Sequence, residues 1–159
     1  MKEAAAVLHV SARTVADADA RARLLGLIEE RRGLAPRLIV EMTEFGALLD
    51  PALTERFSRD LRRLGVAFAL DNFGMRQESL IVVHALKPQY IKLSAGYTRE
   101  LAGSADCRFF VDAIVRATQP LDIGIYAQAV EDESIVPLLL QLGLAGYQGY
   151  AAAQPVRLG

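Results

Sequence analysis

The sequence contains only one cysteine, Cys107, which excludes a fold held by internal disulfide bonds. Scarce cysteine is typical of a reducing compartment, so we expect a cytoplasmic protein in which Cys107 is an ordinary helix residue. An excess of either charge is also lacking, because 18 basic and 19 acidic residues leave a net charge of −1. This balance argues against a nucleic acid polymer as partner. The apolar runs are far shorter than a membrane span, which argues against direct membrane insertion.

What the sequence does contain is a regular alternation of short apolar runs and helical patterns. The runs have strand length and lie at residues 5–10, 38–40, 66–70, 90–93, 123–127 and 145–147. Apolar residues share one helical face at residues 15–28, 53–64, 110–117 and 135–142. This order predicts parallel βα units in a single α/β domain, with strands buried on both faces. It leaves a doubly wound sheet and a (β/α) barrel open.

Polar residues follow the predicted strands, at the ends where parallel α/β folds build their sites. These residues are His9, Ser11, Glu41, Glu44, Asp71, Asn72, Lys92, Ser94, Gln128, Glu131 and Gln148. Lys92 interrupts an otherwise apolar strand and therefore needs an anionic partner. The residues after Phe73 match neither a dinucleotide-binding fingerprint nor a phosphate-binding P-loop.

Structural interpretations of the same residues remain open. Glu41 is a candidate ion-pair partner for Lys92. His9 is better explained as a hydrogen-bonded core or rim histidine than as a metal ligand. Glu44 is explained by a helix N-terminus, where the helix dipole favours an acid. Gln148, followed by glycine, is explained by a turn.

Five short motifs in order resemble the EAL domain family, the cyclic di-GMP phosphodiesterases. They read EMTE at residues 41–44, DNFG at 71–74, KLS at 92–94, AQAVE at 127–131 and QGY at 148–150. The resemblance implies a modified (β/α)8 TIM-like barrel that hydrolyses cyclic di-GMP with Mg²⁺ or Mn²⁺. Since a complete barrel needs about 250 residues, we expect residues 1–159 to form one partial, incomplete barrel. It would lack the first strands and the last helix.

The resemblance also implies roles for individual residues. Glu41 and Asp71 stand at metal-ligand positions, and His9 replaces a family asparagine ligand. Lys92 and Glu131 stand at catalytic positions. Asp71, Asn72, Lys92 and Gln148 stand at ligand-binding positions.

The departures from the family pattern concern the chemistry. Asn72 replaces the second aspartate, Ser94 replaces the aspartate after the lysine, and Gln128 replaces the glutamate at the general-base position. A neutral amide keeps the shape of the acid but neither compensates a cation nor accepts a proton as a base. We therefore expect one weak Mg²⁺ or Mn²⁺ site at most. The loop at residues 75–78 is also bulkier and more charged than in the family.

Three functions follow as hypotheses. The first is a catalytically inactive cyclic di-GMP receptor or regulatory module. The second is an active phosphodiesterase when the domain is complete, and the third is a protein-interaction module that no longer binds the nucleotide. The strand edges of an incomplete barrel also predict pairing, either with other signalling domains or with a second copy of the chain.

Overall fold

The structure is a computed structural model that describes residues 6–74 and 79–150. Its strands form one parallel sheet in the order β1-β2-β3-β4-β5-β6. The strands are β1 Ala6–His9, β2 Leu38–Thr43, β3 Ala67–Phe73, β4 Tyr90–Leu93, β5 Gly124–Ala127 and β6 Gly146–Tyr147. The α-helices are α1 Ala12–Ala16, α2 Ala18–Glu30, α3 Glu44–Leu49, α4 Pro51–Arg63, α5 Ser79–Leu86, α6 Ala95–Glu100, α7 Ala105–Thr118 and α8 Val136–Gln141.

The strand order decides between the two architectures that the sequence leaves open. A doubly wound sheet reverses its strand order at a switch point. Here each strand pairs in parallel with the next along the chain, without reversal. The sheet is therefore part of a TIM-like barrel wall, and the predicted incomplete (β/α) barrel is confirmed. Within the described ranges, the sheet remains open between β1 and β6.

Local capping explains how the helices differ from the predicted ones. The periodicity at residues 15–28 predicts one helix, but Asp17 is extended and its side chain accepts from the Asp19 and Ala20 amides. This N-cap starts a new helix and divides α1 from α2. α4 begins two residues before its predicted apolar face, with Asp50 as N-cap and Pro51 in the first turn.

Three short helices, α3, α5 and α6, escape the sequence analysis because six to eight residues show too little periodicity. Two strands also extend further than their apolar runs. β2 continues through Glu41 to Thr43 and β3 continues through Asp71 to Phe73, because Thr43 pairs with Asp71. Three residues predicted to follow strands, Glu41, Asp71 and Asn72, therefore lie within them.

The core lies between the outer face of the sheet and the helices. Outward-facing residues of the central strands are fully buried, as Val40, Phe68 and Ile91 show. The prediction that both faces are buried is wrong for β1, whose residues are all exposed, and for the inner sides of β4 and β5, which are half-buried. The reason is that the open sheet leaves its inner face uncovered by the described residues.

Cys107 lies in α7 with little exposure, as expected for an ordinary helix cysteine. Burial raises the pKa of its thiol, and Glu100 adds to this effect. A raised pKa lowers the thiolate fraction and so the reactivity. A separate search of the described helices finds none long and apolar enough to cross a bilayer.

Thr98 in α6 provides a test of the packing. Its side chain is 3% exposed, and its hydroxyl has no hydrogen-bond partner among the described residues. Because a buried, unpaired hydroxyl carries a desolvation cost, we expect Thr98→Val to stabilise the protein by about 1 kcal/mol. Urea denaturation measures this change in the free energy of unfolding.

Thr118 in α7 is the matched control, since its buried hydroxyl donates to the carbonyls of Ile114 and Val115. Thr118→Val removes these hydrogen bonds and is expected to destabilise. An equal loss of stability in both variants would contradict the assignment of Thr98 as unpaired.

Candidate functional site

Five polar side chains come from the carboxyl-end halves of neighbouring strands and from the residue after one of them. We call this set, His9, Glu41, Asp71, Lys92 and Gln128, the mouth cluster. Parallel pairing aligns its members, because His9 pairs with Glu41 and Thr43 pairs with Asp71. Lys92 lies on β4, and Gln128 directly follows β5. Residues that are distant in the sequence therefore meet at one edge of the sheet.

Glu41 and Lys92 form a buried ion pair at the centre of the mouth cluster. The Lys92 Nζ lies 2.5 Å from Glu41 Oε1, and the two side chains are 17% and 1% exposed. The predicted anionic partner of Lys92 is thus confirmed, and it is Glu41. Burying either charge without a partner would carry a large desolvation penalty, and the ion pair offsets this penalty for both residues.

The second carboxylate oxygen of Glu41 faces a different neighbour. Glu41 Oε2 is buried and has no hydrogen-bond partner among the described residues. His9 Nδ1 lies 3.5 Å from this oxygen, and the His9 side chain is 70% exposed. His9 is therefore a rim histidine, as its structural interpretation predicts. Ligand atoms of His9, Glu41 and Asp71 also lie within 4.8 Å of one another, which is compatible with holding one cation.

Asp71 accepts hydrogen bonds from two amides. Gln128 Nε2 donates to Asp71 Oδ1 at 2.6 Å, and the Asn72 backbone amide donates to the same oxygen at 2.9 Å. Asn72 itself is exposed and has a φ of 56°, a left-handed conformation that asparagine tolerates. The neutral Gln128 amide therefore does not compensate the charge of Asp71, but it donates a hydrogen bond to the Asp71 carboxylate.

The turn at residues 71–74 is the point where β3 leaves the sheet. Its register against β4 shifts between Leu70, which pairs with Ile91, and Phe73, which pairs with Leu93. Three steps on β3 match two on β4, so β3 contains a bulge at Asp71 and Asn72. Bulges near functional sites re-aim side chains.

Glu44 contributes more than its structural interpretation predicts. It is the first residue of α3, consistent with the helix N-terminus, but its side chain is only 1% exposed. Its Oε2 accepts a hydrogen bond from the Gly74 amide at 3.2 Å. Glu44 therefore ties α3 to the end of the turn at residues 71–74.

Two predicted site residues lie elsewhere. Glu131 is exposed and lines a cavity of about 240 Å³ together with Thr98 and Arg99. Gln148 is exposed, its backbone amide donates to the Ala127 carbonyl and its carbonyl accepts from the Val130 amide, so its backbone continues the pairing of β6 with the end of β5. Their catalytic and ligand-binding roles stay predictions. The loop at residues 75–78 lies outside the described residues.

Tyr97 in α6 is a residue that the sequence analysis misses. Its hydroxyl donates to the Gly74 carbonyl at 2.5 Å, and its ring stacks on Phe110 at a centroid distance of 5.1 Å. Burial raises the pKa of Tyr97, with smaller contributions from Cys107 and nearby carboxylates. The hydroxyl therefore keeps its proton at neutral pH. A tyrosine five residues beyond Lys92 gives no local signal of this contact.

Comparison with known proteins places this geometry in a family. The profile described as EAL domain matches residues 2–155. The probable cyclic di-GMP phosphodiesterase PdeD of Escherichia coli is 34% identical over 77% of the chain, and MucR of Pseudomonas aeruginosa, a bifunctional diguanylate cyclase and cyclic di-GMP phosphodiesterase, is 32% identical over 79%. The chain spans only 23% and 18% of these two relatives.

Solved structures show the same fold. The PaMucR phosphodiesterase in complex with c-di-GMP superimposes with a TM-score of 0.83 at 30% identity, over 94% of this chain and 61% of that one. The manganese/cy-diGMP complex of Klebsiella pneumoniae BlrP1 has a TM-score of 0.79 at 24% identity, over 91% of this chain and 37% of that one. By profile, sequence identity and fold, the chain belongs to the EAL domain family.

Proposed function

We propose that this chain is a regulatory module that binds cyclic di-GMP without hydrolysing it. The proposal rests on the observation that both carboxylates of the mouth cluster already have partners within the chain. Lys92 forms an ion pair with Glu41, and the Gln128 side-chain amide donates a hydrogen bond to Asp71. The residue that would act as a base is thus a hydrogen-bond donor to one of the metal-ligand positions.

The same residues favour an anionic ligand. Replacing acids by Asn72 and Gln128 removes repulsion toward the two phosphates of cyclic di-GMP. The exposed Asn72 and Gln148 supply amide donors. The relatives support this ligand class, since PaMucR and BlrP1 are described with the dinucleotide bound.

The mouth cluster fits one divalent cation rather than two. The buried, unpaired Glu41 Oε2 and the nearby ligand atoms of His9 and Asp71 form one oxygen-rich site. A second ion would have to rely on neutral Asn72 and Gln128. A cation bound here would polarise a phosphoryl oxygen of the ligand. The residues of the chain would orient that phosphate without supplying a base.

Isothermal titration calorimetry with cyclic di-GMP, with and without Mn²⁺, tests the proposal, with chromatography of the same samples for linear dinucleotide. We expect binding and no product. The PaMucR phosphodiesterase is the positive control. Turnover would instead support an active enzyme, and absence of binding would support an interaction module; either result would overturn the proposal.

Metal binding is a separate prediction. We expect one weak Mn²⁺ or Zn²⁺ per chain, bound more tightly than Mg²⁺ because His9 offers an imidazole. His9→Ala should weaken Mn²⁺ affinity about tenfold or more. Electron paramagnetic resonance of free Mn²⁺ measures the stoichiometry and affinity. The matched control is His84→Ala on the exposed side of α5, and two tightly bound ions per chain would contradict the prediction.

Self-association is also proposed for the isolated chain. All residues of β1 are exposed, including Val7 and Leu8, and among the described strands β1 pairs only with β2. Exposed strand edges tend to pair with another chain. We expect light scattering to show a dimer or larger species, and Val7→Lys to shift it toward monomer. A stable wild-type monomer at micromolar concentration would refute this proposal.

A further inference from the structure

The bulge at Asp71 and Asn72 determines which face of the sheet the last side chain of β3, Phe73, lies on. A regular strand alternates its side chains, so Asp71 and Phe73 would share a face. The observed register shift instead pairs the fully buried Phe73 with Leu93 on the core side, while Asp71 contacts Gln128 at the mouth. The bulge therefore allows Asp71 to face the mouth cluster while Phe73, two residues later, packs in the core.

The bulge is held from both ends. Upstream, Leu70 is paired with Ile91 on β4. Downstream, the Phe73 carbonyl accepts from the Ser94 amide, and both polar groups of the Gly74 backbone are engaged. The Gly74 amide donates to Glu44 and its carbonyl accepts from the Tyr97 hydroxyl.

Gly74 is fitted closely to Tyr97. Its φ is 96°, a conformation that favours glycine, and a Cβ at this position would lie 2.8 Å from the Tyr97 ring. The ring is itself fixed by stacking on Phe110 at an interplanar angle of 18°. Tyr97 therefore both covers Gly74 and supplies its carbonyl with a donor.

We infer that Tyr97 is a positioning residue that holds the turn at residues 71–74, and with it Asp71, in contact with Gln128. Without the hydroxyl, the Gly74 carbonyl loses its donor, and the downstream end of the bulge is held only by the bonds to Ser94 and Glu44. Asp71 stays in register with Thr43 of β2 and faces the mouth by regular alternation after the buried Leu70. A loosened bulge would therefore not turn Asp71 over, but it would let the turn shift and lengthen the hydrogen bond from Gln128 to Asp71. The inference rests on the proposed function only in treating Asp71 as a site residue.

The Gln128 side-chain amide reports on this contact without any ligand. In Tyr97→Phe, which keeps the stacked ring, we expect hydrogen exchange at the Gln128 side-chain amide to become about tenfold faster by NMR. The signal is assigned by its loss in Gln128→Glu. Thr98→Val is the matched control, because it removes a neighbouring buried hydroxyl that has no hydrogen bond among the described residues. It should leave the exchange rate unchanged.

Mn²⁺ affinity supplies the second readout and separates the two proposals. We expect Tyr97→Phe, but not Thr98→Val, to weaken Mn²⁺ binding about tenfold. If the wild-type chain binds no metal, the metal site fails while the exchange experiment still decides the role of Tyr97. An unchanged Gln128 exchange rate in a folded Tyr97→Phe variant would overturn the inference.

Discussion

Hydrolysis of cyclic di-GMP by this chain is expected to be at least about a hundredfold slower than by the PaMucR phosphodiesterase at the same Mn²⁺ concentration. Loss of a positioned general base alone typically costs this much. Gln128 cannot accept a proton, and it donates to Asp71 instead. Neutral Asn72 also leaves a second cation without a compensating charge. The measurement is the rate of linear dinucleotide formation by chromatography.

A trace of activity needs its own control. Glu41→Gln removes the buried carboxylate of the mouth cluster, so genuine hydrolysis should fall with it. Activity from a contaminating enzyme should remain the same. Robust Mn²⁺-dependent turnover that is lost in Glu41→Gln would contradict the proposed regulatory function and support an active phosphodiesterase.

Lys92→Met is expected to destabilise the protein by about 3–5 kcal/mol, because it leaves the charge of Glu41 buried and unpaired. Glu41 is 1% exposed and lies 2.5 Å from the Lys92 Nζ. The double variant Glu41→Gln/Lys92→Met should recover much of this loss, since a neutral amide then occupies the site. Urea denaturation of the single and double variants measures the effect.

Arg59 and Glu55 provide the matched comparison. They form an ion pair of similar length, 2.6 Å, but their side chains are 51% and 42% exposed. Arg59→Met should cost at most about 1 kcal/mol, as is usual for exposed pairs. Equal losses in Lys92→Met and Arg59→Met would show that burial does not set the strength of the Glu41–Lys92 interaction.

The predicted contacts differ in how far the sequence could specify them. The need of Lys92 for an anionic partner follows from a cation within an apolar strand, and Glu41 was one candidate. The pairing of Gln128 with Asp71 joins side chains 57 residues apart and depends on the strand register. Local sequence patterns do not predict the Tyr97–Gly74 contact either, because this contact depends on how α6 packs against the end of β3.

Local sequence patterns were enough to predict the alternation of strands and helices, the parallel α/β class and the polar residues near the strand ends. These features depend on periodicity and composition within a few neighbouring residues, which every segment carries in its own sequence. The three-dimensional fold was needed to establish the consecutive strand order, the uncovered inner face, the bulge between Asp71 and Phe73 and the partners within the mouth cluster. Those features depend on register and on the curl of the sheet, which bring together residues that no local pattern relates.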